Sequence, residues 1–169
     1  MFLDALHAAQ VLRTTHPTHF DVLTRVPVSF HYINDGHHLH HDHYTIELAP
    51  TTTCPPAGLP PINHVNYSPP FQAPLPVKTP PEFYEAMAEF TRIIDDPAHT
   101  YEYTLSEGDA VLFDNRRTLH ARTAFQNRPE PVLGDGEPNR WLKGCYLEGD
   151  AILDKIRVLT KAKNLQPWR

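Results

Sequence analysis

The chain has 169 residues and a formal charge of −5 with its histidines neutral; 40% of the residues are hydrophobic and 21% charged. That length fits one domain or a large part of one, and the composition supports a packed core rather than wholesale disorder. No run approaches the roughly 18 unbroken apolar residues of a membrane span, and the acidic balance argues against a broad nucleic-acid footprint. The start, MFLDALHAAQ, carries Asp4 and no basic segment, so no secretory signal is expected. Two cysteines, Cys54 and Cys145, make neither a disulfide framework nor a Cys-rich zinc site, which points to a reducing, cytoplasmic setting. Prolines number 18 and histidines 12, and the histidines are concentrated, so metal chemistry is the first thing to test.

In chain order, FLDALHAAQVLR places Phe2, Leu6, Ala9 and Leu12 along one helical face. Pro17 starts a second short helix, THFDVLTRV, which Pro27 closes, so residues 1–26 form a helical lead-in. VSFHYI (28–33) is aromatic and β-branched and is followed by the turn signal Asp35-Gly36; YTIEL (44–48) is expected to pair with it across a histidine-rich loop. Residues 49–62 hold five prolines and cannot form a central strand, and HVNYS reads as a short one. FQAPLPVKTPP is an extended surface stretch. Thr79 and Glu82 suggest a capping box for a helix whose stripe is Phe83, Met87, Phe90 and Ile94, a stripe read as core packing; Asp95-Asp96-Pro97 ends it.

The last third reads as strands YEYTL (101–105), AVLFD (110–114), LHART (119–123) and WLKGCYLE (141–148), then a helix, AILDKIRVL. Residues 126–139 are a polar surface insertion. The fold expectation is a single domain over 1–169, mainly β with covering helices, in the manner of a sandwich or jelly roll.

Three features could carry chemistry. DGHHLHHDH (35–43) contains His40-His41-Asp42, an H-x-D pattern of the kind that, with a second distant imidazole, holds non-heme Fe(II). The plainer readings are a solvated hairpin loop or a surface site for zinc or nickel. GDAVLFDNRRTLHARTAF (108–125) delivers His120 on a strand among Arg116, Arg117 and Arg122, with Arg140 further on. Guanidinium groups near a β core make sense where they pair with an acid such as a substrate carboxylate; Arg117 and Arg128 read instead as surface residues on turns. Tyr67, Phe71, Trp141 and Tyr146 are aromatic groups that could enclose a quaternary ammonium or simply form core.

The runs VPVSFHYINDGHHL, VNYSPPFQAPLP, YEYTLSEGDAVLFDNRRTLHARTAF and RWLKGCYLEGD resemble the C-terminal part of the taurine dioxygenase-like family. Within it, the resemblance is to the gamma-butyrobetaine and trimethyllysine hydroxylase subgroup. It implies a double-stranded β-helix and an oxygenase using Fe(II) and 2-oxoglutarate, with ascorbate as a reductant. It also implies a small-molecule substrate, a trimethylammonium acid, and allows a homodimer in the cytoplasm or, for a full-length relative, the mitochondrion. Carried over by position, His120 matches the distal iron-binding histidine and Arg140 the arginine that pairs with the far carboxylate of 2-oxoglutarate. Arg122 supports that pocket, Tyr146 falls at an aromatic wall of the trimethylammonium cage, and Asn115 and Arg116 belong to the shared D-N-R turn.

The family's own H-x-D precedes the helix matched by FLDALHAAQVLR, and His40-His41-Asp42 falls where relatives carry a variable polar turn, so that pattern reads as a decoy. The expectation is therefore an oxygenase portion without two of its three iron ligands. Alternatives are a catalytically incompetent fragment and a histidine-rich metal-binding module over 37–43.

Overall fold

The computed structural model describes residues 1–50, 60–124 and 142–163. The chain divides into two compact units, Met1–Thr123 and Ala124–Arg169.

In the first unit, a strand, β1 (Phe2–Asp4), leads directly into helix α1 (Ala5–Thr15). Asp4 ends the strand because its carboxylate accepts the backbone N–H groups of Leu6 (3.1 Å) and His7 (3.3 Å), which have no partner within the helix. The helical stripe therefore begins after Phe2 rather than at it. Helix α2 (Pro17–Arg25) has proline in its first turn, as its sequence suggested, and α3 spans Pro81–Ile94. The expected Thr79 capping box does not form. Pro80, with ψ of 138°, takes the capping position without a side-chain bond, and the Thr79 N–H donates instead to the Pro76 carbonyl at 2.9 Å. Two successive prolines hold the chain extended one residue beyond the threonine.

Helices α1, α2 and α3 pack on one another, and α1 also lies against strand β5 (Ile62–Val65). The core between them is built from Leu12, Leu23, Phe83 and Phe90, with Val28 and Ile46 from the strands. On α3 the inward residues are Phe83, Ala86, Phe90 and Ile93; Met87 and Ile94 sit half-buried at the margin. Tyr67 closes one side, its ring edge-on to Phe90 with 6.1 Å between centroids and its hydroxyl 3.3 Å from Thr91 Oγ1.

The expected jelly roll is not what the described residues form. They make a mixed α/β arrangement with three small antiparallel sheets: β1 between β6 (Thr100–Tyr101) and β7 (Thr118–His120), β2 (Pro27–Asn34) with β3 (His37–Tyr44), and β4 (Ile46–Leu48) with β5. The strands read at 101–105, 110–114 and 119–123 shrink to β6 and β7, and the described part of 141–148 has no strand. A strand extends only as far as its neighbour offers hydrogen-bonding groups. Tyr101 and His120 both stand opposite Phe2, so beyond them the register leaves only Met1 to pair with, and there the Ala121 N–H donates to the Met1 carbonyl at 3.1 Å.

The largest departure concerns the histidine-rich stretch. It is a strand, not a loop, and it replaces YTIEL as the partner of β2. Asp35 (φ 51°) and Gly36 (φ 77°) form a two-residue turn, and the pairing then runs without a break from Asn34↔His37 to Pro27↔Tyr44. Both left-handed conformations match the twist of a tight hairpin, which fixes the register from the turn outward.

In the second unit, helix α4 (Gly149–Ala162) follows residues 142–148, which form neither helix nor strand. Among the described residues no helix is long and apolar enough to cross a membrane. The insertion at 126–139 and Cys54 lie outside the described residues.

Two outcomes follow for stability. Phe90→Ala should cost about 3–5 kcal/mol, read as a lowered urea midpoint, because it empties the interface between α3 and Tyr67. Asp4→Ala should cost about 1 kcal/mol through the lost cap, and Asp4→Asn, which can still accept those N–H groups, should cost less.

Candidate functional site

His120 ends β7, where it stands opposite Phe2 of β1. The turn before it is tied by Asp114: its carboxylate accepts the Arg116 N–H at 2.9 Å, and its carbonyl accepts those of Arg117 (3.1 Å) and Thr118 (2.8 Å). That turn is docked on the body of the unit at two points. The Ala5 N–H donates to the Arg117 carbonyl at 2.8 Å, and the Val65 N–H to the Arg116 carbonyl at 3.3 Å. His120 is exposed, with its ring 4.8 Å from that of Phe113.

The neighbouring arginines divide as follows. Arg117 pairs with Asp4 at 2.6 Å on the surface, in keeping with its reading as a turn residue. Partial burial pushes the Asp4 carboxyl up, but the Arg117 hydrogen bond and charge and the two capped N–H groups together hold it below its ordinary value. Arg122 is exposed, two residues past β7. Arg140, Trp141 and Arg128 lie outside the described residues. Tyr146 belongs to the second unit and is 90% exposed. Of the other aromatic candidates, Tyr67 is engaged with α3, and the Phe71 ring lies 6.1 Å from that of Tyr32.

Reading the sequence missed a cluster of titratable groups. Glu47 on β4 joins two imidazoles: Oε1 lies 2.9 Å from His43 Nδ1, and Oε2 lies 2.7 Å from His64 Nε2. Asn66 Nδ2 adds a bond to Oε1 at 2.8 Å and another to the Tyr44 carbonyl at 2.9 Å. Burial pushes Glu47 up, yet the His43 hydrogen bond, the His64 charge and Asn66 bring it below its ordinary value. Burial pushes His64 down; Glu47 opposes this, while Arg116 and His43 add to it. The ionised carboxylate thus accepts hydrogen bonds from its neighbours, and His64, with its side chain only 8% exposed, favours the neutral form. The signal for this cluster was His43 and Glu47 four residues apart across the start of β4, which becomes meaningful only once β5 brings His64 alongside.

A match to the model of the taurine catabolism dioxygenase TauD, TfdA family covers residues 1–146, and the chain belongs to that family. Among its relatives is Dioxygenase str8 of Strobilurus tenacellus, 53% identical over 159 residues, which cover 94% of this chain and 36% of that protein. The Gamma-butyrobetaine dioxygenase of Pseudomonas sp. (strain AK-1) is 31% identical over 95% of this chain and 38% of its own. The mitochondrial Trimethyllysine dioxygenase of Rattus norvegicus is 27% identical over 94% and 35%. The chain thus spans little more than a third of the length of these curated relatives.

The family typically uses Fe(II) and 2-oxoglutarate. A non-heme oxygenase centre takes two imidazoles and a carboxylate on one face of the metal. All 12 histidines fall within the described residues, yet no three His, Cys, Asp or Glu side chains among those residues are arranged to hold a metal ion. His120 offers one imidazole. The described residues do not fit an Fe(II) centre.

The Glu47 cluster gives a pH dependence with a definite sign. The folded-state values of His64 and Glu47 are both depressed, so their contribution to stability is fully present above the unfolded values and is lost as pH falls. The His64 share should fade below the ordinary histidine value of 6.5 and the Glu47 share below the ordinary carboxyl value of 4.5. Denaturant unfolding of His64→Gln should show a shallower loss of stability between those values than the unsubstituted chain. An unchanged slope would remove His64 as its source.

Proposed function

We propose that this chain is the portion of an Fe(II)- and 2-oxoglutarate-dependent hydroxylase that supplies the second histidine of the iron site and the pocket for the oxo acid, and that it is inactive by itself. Family membership over residues 1–146 supports the reaction class. The observation that carries the reading is His120, held at the end of β7 by a turn that is hydrogen-bonded both to the start of α1 and to β5. A ligand has to be presented from a rigid backbone, and this is the imidazole in the DNRRTLHARTAF run so presented.

In this reading His120 contributes one metal-binding nitrogen. Arg140 pairs bidentately with the far carboxylate of 2-oxoglutarate, a geometry the planar guanidinium suits. Arg122 supports that carboxylate, and Tyr146 offers its ring face to a trimethylammonium group. Relatives named for gamma-butyrobetaine and trimethyllysine support a trimethylammonium acid as the substrate class. One imidazole holds a divalent ion weakly, because affinity depends on several ligands in fixed geometry. The other two ligands have to come from residues other than those described, in a protein nearer the relatives' length.

Succinate release from 2-oxoglutarate, with Fe(II), ascorbate and a trimethylammonium acid present, tests the proposal. The 169-residue chain should release none above the protein-free rate. Placed in a chain of the relatives' length that carries an H-x-D segment, it should support turnover, and His120→Ala there should abolish it. Arg140→Met should raise the KM for 2-oxoglutarate. Full turnover with His120→Ala would refute the assignment.

A further inference from the structure

The β2–β3 hairpin sorts its histidines onto two faces, a division that the linear sequence hides. Because side chains alternate along a strand, His37, Leu39, His41 and His43 share one face of β3, while His38, His40, Asp42 and Tyr44 share the other. Across the ladder, His31 stands directly opposite His40, Ile33 opposite His38 and Ser29 opposite Asp42.

The first face is already engaged near its base. The His43 ring lies 4.4 Å from that of His41 and 6.2 Å from that of Phe30, and its Nδ1 meets Glu47. The second face is open: His38, His40 and Asp42 are exposed and His31 is half-buried.

The turn also fixes the spacing on that open face. In a two-residue hairpin the residues flanking the turn, here Asn34 and His37, exchange both backbone hydrogen bonds, and the pairs then alternate. His31↔His40 is therefore a non-hydrogen-bonded pair, the kind with Cα atoms only about 4.5 Å apart and side chains closest together. Two imidazoles at that spacing can share one ion, with Asp42 and His38 on either side of His40 along β3. His40 Nε2 and Asp42 Oδ1 already lie 4.0 Å apart, against about 3.4 Å between donors on a tetrahedral ion with bonds near 2.1 Å. The Ser29 hydroxyl donates to Asp42 Oδ1 at 2.5 Å and so orients that carboxylate.

We propose that His31, His40 and Asp42, with His38 as a further donor, form a binding site for a late first-row divalent ion such as Zn(II), on the solvent face of the β2–β3 hairpin. As the rings stand, no three such groups converge among the described residues, so binding requires the exposed His40 and Asp42 side chains and the half-buried His31 ring to rotate toward one another. Imidazole and carboxylate donors suit Zn(II), Ni(II) or Cu(II), whereas Mg(II) and Ca(II) prefer all-oxygen shells. The site is independent of His120, and it differs from a histidine-rich loop because it requires His31 and does not use His41 or His43.

The test is a Zn(II) titration of the whole 169-residue chain against a chromophoric chelator. One Zn(II) per chain should bind, unaffected by excess Mg(II). His31→Ala and His40→Ala should each weaken binding at least tenfold, and His41→Ala and His120→Ala less than twofold. Should His31→Ala disturb folding, ring NMR signals of the unsubstituted chain supply the same answer: those of His31 and His40 should respond to Zn(II) first. The proposal is overturned if no ion is held against the chelator, if His31→Ala binds as tightly as the parent chain, or if His41→Ala weakens binding as much as His40→Ala. Loss of Zn(II) binding in His120→Ala would overturn its independence from the oxygenase residues. Failure of the succinate assay alone would leave it untouched.

Discussion

Asp4 is the point on which the geometry of the first unit turns. Its carboxylate caps α1 through Leu6 and His7, and the same group pairs with Arg117 in the turn that precedes β7. The capping bonds end β1 after three residues and start the helix whose buried residues Ala5, Ala8, Ala9 and Leu12 build the core. The Arg117 contact, with the Ala5–Arg117 backbone bond, draws the turn onto that junction and sets β7 beside β1. His120 owes its place at the end of β7 to this arrangement. The ion pair itself is largely exposed and contributes little to stability, so the cap and the backbone bonds carry most of the constraint.

The Glu47 cluster plays a comparable part between the two-stranded sheets. His43 ends in β3, Glu47 lies in β4, and His64 and Asn66 come from β5 and just beyond. A carboxylate with partners on both oxygens ties the base of the hairpin to the β4–β5 pair. Removing any partner would leave a half-buried polar group short of a hydrogen bond, a costly condition in a region of low dielectric. Among the described residues the hairpin's far end has no such carboxylate anchor, and beyond Phe30 its side chains turn mostly to solvent.

Family membership and the number of metal donors bear on different parts of the functional question. The family match extends to residue 146 and fixes the reaction class to which the chain is related. The donor set among the described residues is too small for an iron centre, however well His120 is presented. These statements are compatible because the chain accounts for only 35–38% of the relatives' lengths. A metal site assembled from distant strands shows little of itself in any one of them. That is also why the histidine-rich run 37–43, the most conspicuous metal-like pattern in the sequence, does not identify the oxygenase site.

The sequence by itself determined what depends on near neighbours. The helices α1, α2 and α3 were readable because residues three and four apart share a helical face, although the buried faces of α1 and α3 take in Ala5, Ala8, Ala86 and Ile93, which the expected stripes lacked. Asp35-Gly36 was readable because a tight turn needs left-handed backbone. The runs VPVSFHYINDGHHL, VNYSPPFQAPLP, YEYTLSEGDAVLFDNRRTLHARTAF and RWLKGCYLEGD together carried the resemblance to the family that the match over residues 1–146 shows. Tertiary structure decided everything that required a partner from elsewhere. It made a strand of the histidine-rich stretch, against the expectation of a loop, and it shortened the expected late strands to β6 and β7. It also joined Glu47 to His64 and sorted the histidines of the hairpin onto opposite faces. The reason is that a helix closes its hydrogen bonds within its own sequence, whereas a strand, a buried carboxylate or a metal site is completed only by groups that folding brings from a distance.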